Sequence, residues 1–587
     1  MSAPSSSVVK NARHLLGLVI PVFREHRYRL ALGFTALLLV DALQLTVPRL
    51  IKLAVDGLES RCINGKTLLW IGAGILAAAL GMALFRFCWR YLIIGFSRIL
   101  EKNLRDRIYQ HLLGMDQPFF DRRTTGDLMA HSSNDLASVQ LAFGMGMVAA
   151  TDALVISLAA IGFMAAINLR LTIMALAPMP FLALATRVLA ARMHKRFLQV
   201  QGLFSELTEF SRAAITSIRL IKAYTLESLQ LGAFDLLGRR YVRANLRVAS
   251  VQGLIFPAAT MAGSLGMLIV LSVGGRLVID SQITLGDFVA FIAYLNMLIW
   301  PMMAVGWVTS LAQRGLTSLG RIDDLLQERP LVHSTGISDI PLPLTSPCIV
   351  CQQLSFSYPG VDKRVLDRID LAIAPGILGI TGPTGAGKSS LCKLLLRMYP
   401  VPDQRLFIQG IDVNQVDPAR IRTHIAFVSQ EPLLFSASIR RNIAMARPDA
   451  SLEEVRQAAR LAAVDAEIMA FPDGYEARIG ERGVRLSGGQ KQRVALARAI
   501  LSGRRILIID DGLSALDVAT EQQVLDALVQ GAAAEVILIV SHRINVLRRA
   551  DRIIIVDQGR VVASGGHEDL LDNEFYQAML EKQERHG

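Results

Sequence analysis

Six long, charge-poor apolar runs, all within the first 312 residues, constrain this chain more than any other feature. They fall at about 28–53, 67–97, 141–168, 171–190, 253–279 and 288–312. Each is long enough to cross a hydrocarbon core of roughly 30 Å, which needs about 20 helical residues. Runs of that length favour membrane-spanning helices over buried core helices of a soluble all-helical protein. The 587-residue composition agrees, with 52% hydrophobic against 19% charged residues. The reading is a six-span, all-α transmembrane domain.

The positive charge is placed as a membrane protein requires. The formal net charge of +12 concentrates before the first run (Lys10, Arg13, Arg24, Arg27, Arg29) and in two long polar intervals, about 98–140 and 192–250. That asymmetry puts the N-terminus and both intervals in the cytoplasm. No Arg/Lys stripe interleaved with aromatics points to nucleic acid. The N-terminal "LLGLVIPVF" is too short for a signal peptide and is interrupted by Pro21, so residues 1–27 read as a cytoplasmic segment with an amphipathic surface helix.

Between spans two and three, and again between four and five, the connections keep helix-forming composition. About 25 helical residues from Arg98 would reach roughly 35–40 Å beyond the membrane. The hairpin tips are "FFDRRTTGDLMAHSSND" (119–135), with a helix break expected at Gly126-Asp127, and "SIRLIKAYTLE" (217–227). Asp41 and Asp152 should face a bundle interior or cavity. Arg86 and Arg90 share one face of the second span and read as reaching the inner headgroups. Trp300-Pro301 should bend the sixth span.

The character changes near residue 316. The expected layout is a transmembrane domain over 28–315, a linker over 316–345 and an α/β nucleotide-binding domain over 346–587. Five cysteines give no disulfide framework, and the Cys348/Cys351 pair lies on an alternating, strand-like stretch that would turn the two thiols to opposite sides.

"GPTGAGKS" comprises Gly382, Pro383, Thr384, Gly385, Ala386, Gly387, Lys388 and Ser389, with Ser390 following. It succeeds the aliphatic "ILGIT" and opens a helical stretch, the context a phosphate-binding P-loop needs. Its backbone amides would wrap the phosphates of ATP, with Lys388 on the β- and γ-phosphates and Ser389 on Mg²⁺. Four aliphatic residues, Ile506 to Ile509, deliver Asp510 toward the same metal. A second glycine turn, Leu486, Ser487, Gly488, Gly489 and Gln490, opens another helix and offers a second phosphate-binding start. One site does not need two. A head-to-tail dimer, each nucleotide lying between one P-loop and the other chain's LSGGQ, explains both.

These motifs resemble the ABC (ATP-binding cassette) exporters of the half-transporter type, over essentially the whole chain. The resemblance implies Tyr358 as the aromatic on adenine, Gln430 as the Q-loop residue and Ser514 to Asp517 as the D-loop, Asp517 included. It also implies His542 as the switch histidine. It makes 124–135 and 217–227 the coupling segments, and Gly480 to Gly483 the segment before the signature that senses them. "MLIWPM", "TTGDLMA" and "DDGLSALD" are similar to the Mdl-type multidrug-resistance-like subunits of bacteria. The family usually has Glu after the Walker B aspartate, where Asp511 stands here. Its oxygens should fall short by roughly 1 Å, and a misplacement of that order costs about a hundredfold in rate.

The resemblance therefore implies an ATP hydrolase in the bacterial inner membrane that exports amphiphilic or drug-like molecules or lipids. A second half-transporter would be its partner, with this chain supplying the degenerate site. The readings left open are a homodimeric lipid or lipopolysaccharide flippase, an importer on the same fold, and a non-transporting ABC channel or sensor.

Overall fold

A computed structural model describes residues 6–61, 63–333, 346–480, 486–531 and 533–584. The chain forms two compact units, Met1–Leu113 with Thr125–Glu328, and Gly114–Thr124 with Arg329–Gly587.

The first unit is all-helical. Among the described residues, four helical stretches are long and apolar enough to cross a membrane: Arg27–Glu59, Gly65–Leu113, Thr125–Ile167 and Leu285–Gln327. The other two expected spans also lie in helices, one on Leu169–Leu176 and the start of Met179–Thr216, the other toward the end of Glu227–Ile269 and beyond to Ile279. Polar anchors fix the bundle where apolar packing has no direction. Tyr294 donates its hydroxyl to the Leu45 carbonyl (3.0 Å), and Asp56 accepts from the Gly286 amide (2.8 Å). Pro21 sits inside the helix Ser6–Glu25 and does not end it. Instead of bending a span, Pro301 stands in the first turn of Ile299–Gln327, where a missing N–H costs nothing. That helix runs past residue 315 because Leu319, Ile322 and Leu325 keep a helical spacing and are all buried. Of the expected linker, 334–345 lies outside the described residues.

Among the described residues, the second unit carries ten strands. These are β1 Ile349–Phe356, β2 Leu366–Ile373, β3 Gly376–Thr381, β4 Leu406–Ile408, β5 Ile411–Asp412, β6 Ile425–Val428, β7 Ile506–Asp510, β8 Val536–Val540, β9 Arg552–Asp557 and β10 Arg560–Gly565. They form a four-stranded sheet, β2-β1-β4-β5, and a six-stranded sheet, β10-β9-β3-β8-β7-β6. In the larger sheet β9, β3, β8, β7 and β6 are parallel, and every residue of β7 and β8 is buried. Covered faces on both sides explain why those strands read as unbroken aliphatic runs. Cys348 and Cys351 are both buried, and burial pushes the Cys351 thiol up to about 12, so it stays protonated. Cys62 lies outside the described residues.

The first hairpin tip breaks earlier than expected. Gly114–Thr124 belongs to the second unit, whereas Thr125 onward belongs to the first, with Gly126 inside the helix Thr125–Ala130. The short helix Gln117–Arg122 starts here because Asp116 caps it and Pro118 occupies its first turn. The buried Asp116 carboxylate accepts from the Phe119, Leu331 and Val332 amides, and Tyr399 donates its hydroxyl to Asp121. The segment set in the nucleotide-binding unit is thus 114–124, just before the 124–135 expected from the sequence. Replacing Asp116 by Ala strands three amides and should cost about 2 kcal/mol, read as a lower thermal unfolding midpoint of the full chain. In the second hairpin, Ser217 precedes a short helix, Ile218–Ala223, within the expected tip 217–227.

Candidate nucleotide site

The site is built at the C-terminal ends of β3 and β7, where ligands of open α/β sheets bind. β3 delivers the chain to Gly382, whose φ of +143° and near-contact with the Val556 carbonyl leave no room for a side chain. Gly387 (φ +103°) is equally confined, by Leu366 and the Val365 carbonyl. Pro383, Thr384, Gly385 and Ala386 complete the loop before the helix Lys388–Leu395. Lys388 folds over that loop, its Nζ donating to the carbonyls of Gly382 (2.7 Å) and Pro383 (2.8 Å). Burial lowers its pKa, against the pull of Asp510 and Asp511.

Ser389 Oγ donates to Asp510 Oδ1 at 2.9 Å. Burial raises the Asp510 pKa, the Ser389 bond opposes the rise, and the neighbouring Asp511 adds to it. Hydroxyl and carboxylate oxygens this close fit a hard divalent cation such as Mg²⁺. Ser390, buried, shares a 2.8 Å hydrogen bond with the Tyr358 hydroxyl, which holds that ring beside the P-loop helix. The ring also packs edge-on to Phe356 and Tyr399.

Asp511 stands in the left-handed region, φ +51°, where short polar side chains are the best-tolerated non-glycine residues. Its amide donates to the Val540 carbonyl (3.1 Å), turning the chain off β7, and Gln430 Nε2 donates to its Oδ2 at 3.3 Å. Burial raises the Asp511 pKa, and His542, Arg543, Gln430 and Lys388 act to lower it. Burial and then Lys388 lower the His542 pKa. A base with an ordinary pKa of about 6.5, shifted down, is neutral at pH 7. The structure therefore brings Lys388, Asp510, Asp511, Gln430 and His542 to one place.

The signature turn is a capping box. Ser487 Oγ accepts from the Gln490 amide (3.2 Å), and Gln490 Oε1 accepts from the Ser487 amide (2.9 Å). Gln490 Nε2 donates on to Glu467, Leu486 is buried, and Gly488 and Gly489 open the helix Gly488–Leu501 against Ala515. Asp517 caps the next helix through the Thr520 amide (3.2 Å). Gly480 adopts a φ of +146°, and residues 481–483 of the segment before the signature lie outside the described residues.

Two side chains that no motif spacing marks hold these loops together. Gln492, buried in the signature helix, accepts from the Ala515 amide (3.0 Å) and donates to Ser514 Oγ (3.3 Å). Arg543, next to His542, donates to the carbonyls of Leu516 and Ser514 (2.7 Å each) and to the buried Glu521. Their only trace in the sequence is adjacency to "LSGGQ" and "VSH".

Comparisons with known proteins agree with this geometry. Residues 30–302 match the family described as ABC transporter transmembrane region, and residues 366–514 match ABC transporter. The chain is 36% identical to the multidrug resistance-like ATP-binding protein MdlA of Escherichia coli, over 95% of each chain. It is 32% identical to the probable multidrug resistance ABC transporter ATP-binding/permease protein YheI of Bacillus subtilis, over 96% of each. A solved bacterial Atm1-family ABC exporter with ATP bound superposes with a TM-score of 0.79 at 26% identity, covering 95% of this chain and 99% of that one. A membrane-spanning helical unit joined to a P-loop cassette with its signature helix places this chain in the ABC transporter family, as an ATP-hydrolysing exporter.

Proposed function

We propose that the chain is one half of a heterodimeric exporter of amphiphilic or drug-like molecules, and that its own P-loop forms the slower of two ATP sites. The observation that carries this reading is Asp511. It lies within reach of Gln430 and beside His542, where a carboxylate must polarise the attacking water, yet it is one methylene shorter than Glu. The intact signature Leu486–Gln490 supports the other half of the reading, since it would complete a consensus site with a partner's P-loop. The multidrug-resistance names of the relatives support the substrate class.

In this reading Tyr358 stacks on adenine, and the P-loop amides with Lys388 and Ser390 hold the phosphates. Ser389, Gln430 and Asp510 would hold Mg²⁺, which would neutralise phosphate charge. His542 contacts the γ-phosphate, and Ser514 to Asp517 carry the state of one site to the other. Closure of two cassettes on ATP moves the tips at 114–124 and 217–227, and the bundles open outward from the inner membrane. The N-terminus and both cassettes lie in the cytoplasm.

The test is ATPase measured on the chain alone and on the chain co-purified with the half-transporter encoded beside it. The pair should exceed the lone chain by at least about tenfold, and Asp511→Glu should raise the pair's rate severalfold by restoring reach. A lone homodimer with full activity, barely altered by Asp511→Glu, would sink the slow-site reading and favour a homodimeric flippase.

A further inference from the structure

The side chains placed at the nucleotide so far come from the P-loop, β7 and the loops around them. A further element reaches the same place from far along the chain. The helix Glu574–Glu584 carries Tyr576, Met579 and Gln583 on one face, at i, i+3 and i+7. Tyr576 is completely buried in an apolar cluster with Ile544, Leu547 and Leu570, and its hydroxyl shares a 2.8 Å hydrogen bond with His567 Nδ1. Met579 Sδ accepts from the hydroxyl of Thr381 (3.5 Å), the buried last residue of β3 before the P-loop. Gln583 Oε1 accepts from the Ile544 amide at 2.9 Å.

That last bond bears on His542. The short helix Ile544–Leu547 follows the histidine directly, and its N-cap residue, Arg543, makes no side-chain cap. Ile544 is buried, so its amide would lose its partner if Gln583 were removed. The neighbouring bonds are local: the Ser541 amide donates to the Ile380 carbonyl (3.1 Å), and the Arg543 amide donates to Ser541 Oγ (3.0 Å). Gln583, by contrast, stands 39 residues beyond Ile544. His542 and Ile544 also border a cavity of about 1150 Å³, together with Pro383 and Thr384 of the P-loop, Met579 and Gln583. On that side hydrogen bonds, not packing, must hold the loop.

We propose that Gln583 is a positioning residue of the nucleotide site. Through the Ile544 amide it holds the loop 541–544 so that His542 meets the γ-phosphate, and the helix Glu574–Glu584 thereby sets how strongly the site prefers ATP to ADP. Met579, bonded to the end of β3, fixes the same helix against the strand that delivers the P-loop, so both halves of the phosphate site share one support. The inference rests on the reading of His542 given above.

The test is photolabelling of the assembled pair with 8-azido-ATP on ice, competed by unlabelled ATP or ADP. The label is read in this chain after the two chains are resolved on a gel. In the parent, ATP should compete better than ADP. Gln583→Met keeps the length but removes the acceptor, and should cut that preference about tenfold while ADP competes as before. Gln583→Glu keeps an acceptor for the Ile544 amide and should retain the preference. His542→Ala should cut it as far as Gln583→Met does, and the double variant should go no further, since both act through one contact. Parallel loss of ATP and ADP competition in Gln583→Met would show that Gln583 serves the fold at large. A preference lost in His542→Ala but kept in Gln583→Met would show that the loop holds without it. Either result overturns the proposal. A parent that does not distinguish ATP from ADP, or a His542→Ala chain that still does, would instead remove the γ-phosphate reading of His542 and this inference with it. Binding is read without turnover, so no outcome depends on the rate at Asp511.

Discussion

Gly488→Asp in this chain should reduce the ATPase of the assembled pair by about a hundredfold or more, whereas Lys388→Ala in the same chain should cost less than about tenfold. In the proposed pair the signature turn would present backbone amides and a helix N-terminus to the partner's nucleotide, so a carboxylate there would repel the phosphates that the turn should attract. The fold accommodates the change. A Cβ on Gly488 meets only the Ala515 side chain, at an ordinary 3.9 Å, and the Ser487–Gln490 capping box does not involve its side chain. Lys388, by contrast, serves the site that ends in Asp511 and contributes little to turnover in the proposed asymmetry. Steady-state ATPase of the two purified variant pairs measures this directly. A homodimer would place every substitution in both sites, and the two variants would then fail alike. Equal collapse therefore rejects the heterodimer reading without any knowledge of the substrate.

The legible parts of the molecule are those that chain-local physics dictates. Glycines forced to positive φ by the close approach of Val556 and Val365 mark the P-loop. The continuous burial of β7 and β8 marks the strands around it as aliphatic runs. What sequence reading misplaces turns on competition between similar local signals. Gly126-Asp127 looks like a helix break, but Asp116 and Pro118 cap a helix earlier, and the buried bonds of Asp116 to Leu331 and Val332 decide between them. The charged stretch after 315 looks like a linker until Leu319, Ile322 and Leu325 are seen as one buried stripe. Gln492 and Arg543 escape notice for a different reason. Their partners are 22 to 29 residues away or on other elements, so no local spacing encodes the contacts. Asp41 was legible as an interior group, but its neighbours Asp152 and Arg86 stand on two other helices, so no local spacing shows them.

Replacing Arg543 by Ala should destabilise the nucleotide-binding unit by about 3–5 kcal/mol, the cost of leaving a buried charge without its partner. The Glu521 side chain is 1% exposed, and one of its oxygens already lacks a hydrogen bond, so Arg543 is what makes its burial tolerable. Burial raises the Glu521 pKa, and the Arg543 bond and charge oppose that rise. Without the guanidinium, Glu521 must take up a proton or pull toward solvent, and the D-loop carbonyls of Ser514 and Leu516 lose their donor in the same step. Arg543→Lys should recover only part of the loss, because an ammonium lacks the planar fork that reaches three acceptors at once. Adding Glu521→Gln to Arg543→Ala should recover stability by removing the stranded charge, while the freed D-loop stays freed. Thermal unfolding of the full chain for the two single variants and the double variant separates these contributions, and ATPase of the pair reads the D-loop independently. A recovered melting midpoint with unrecovered ATPase is the expected pattern, since restored stability leaves Ser514 and Leu516 without the contact that positions the D-loop. An Arg543→Ala chain that melts with the parent would show that Glu521 is already neutral and that Arg543 acts only on the D-loop.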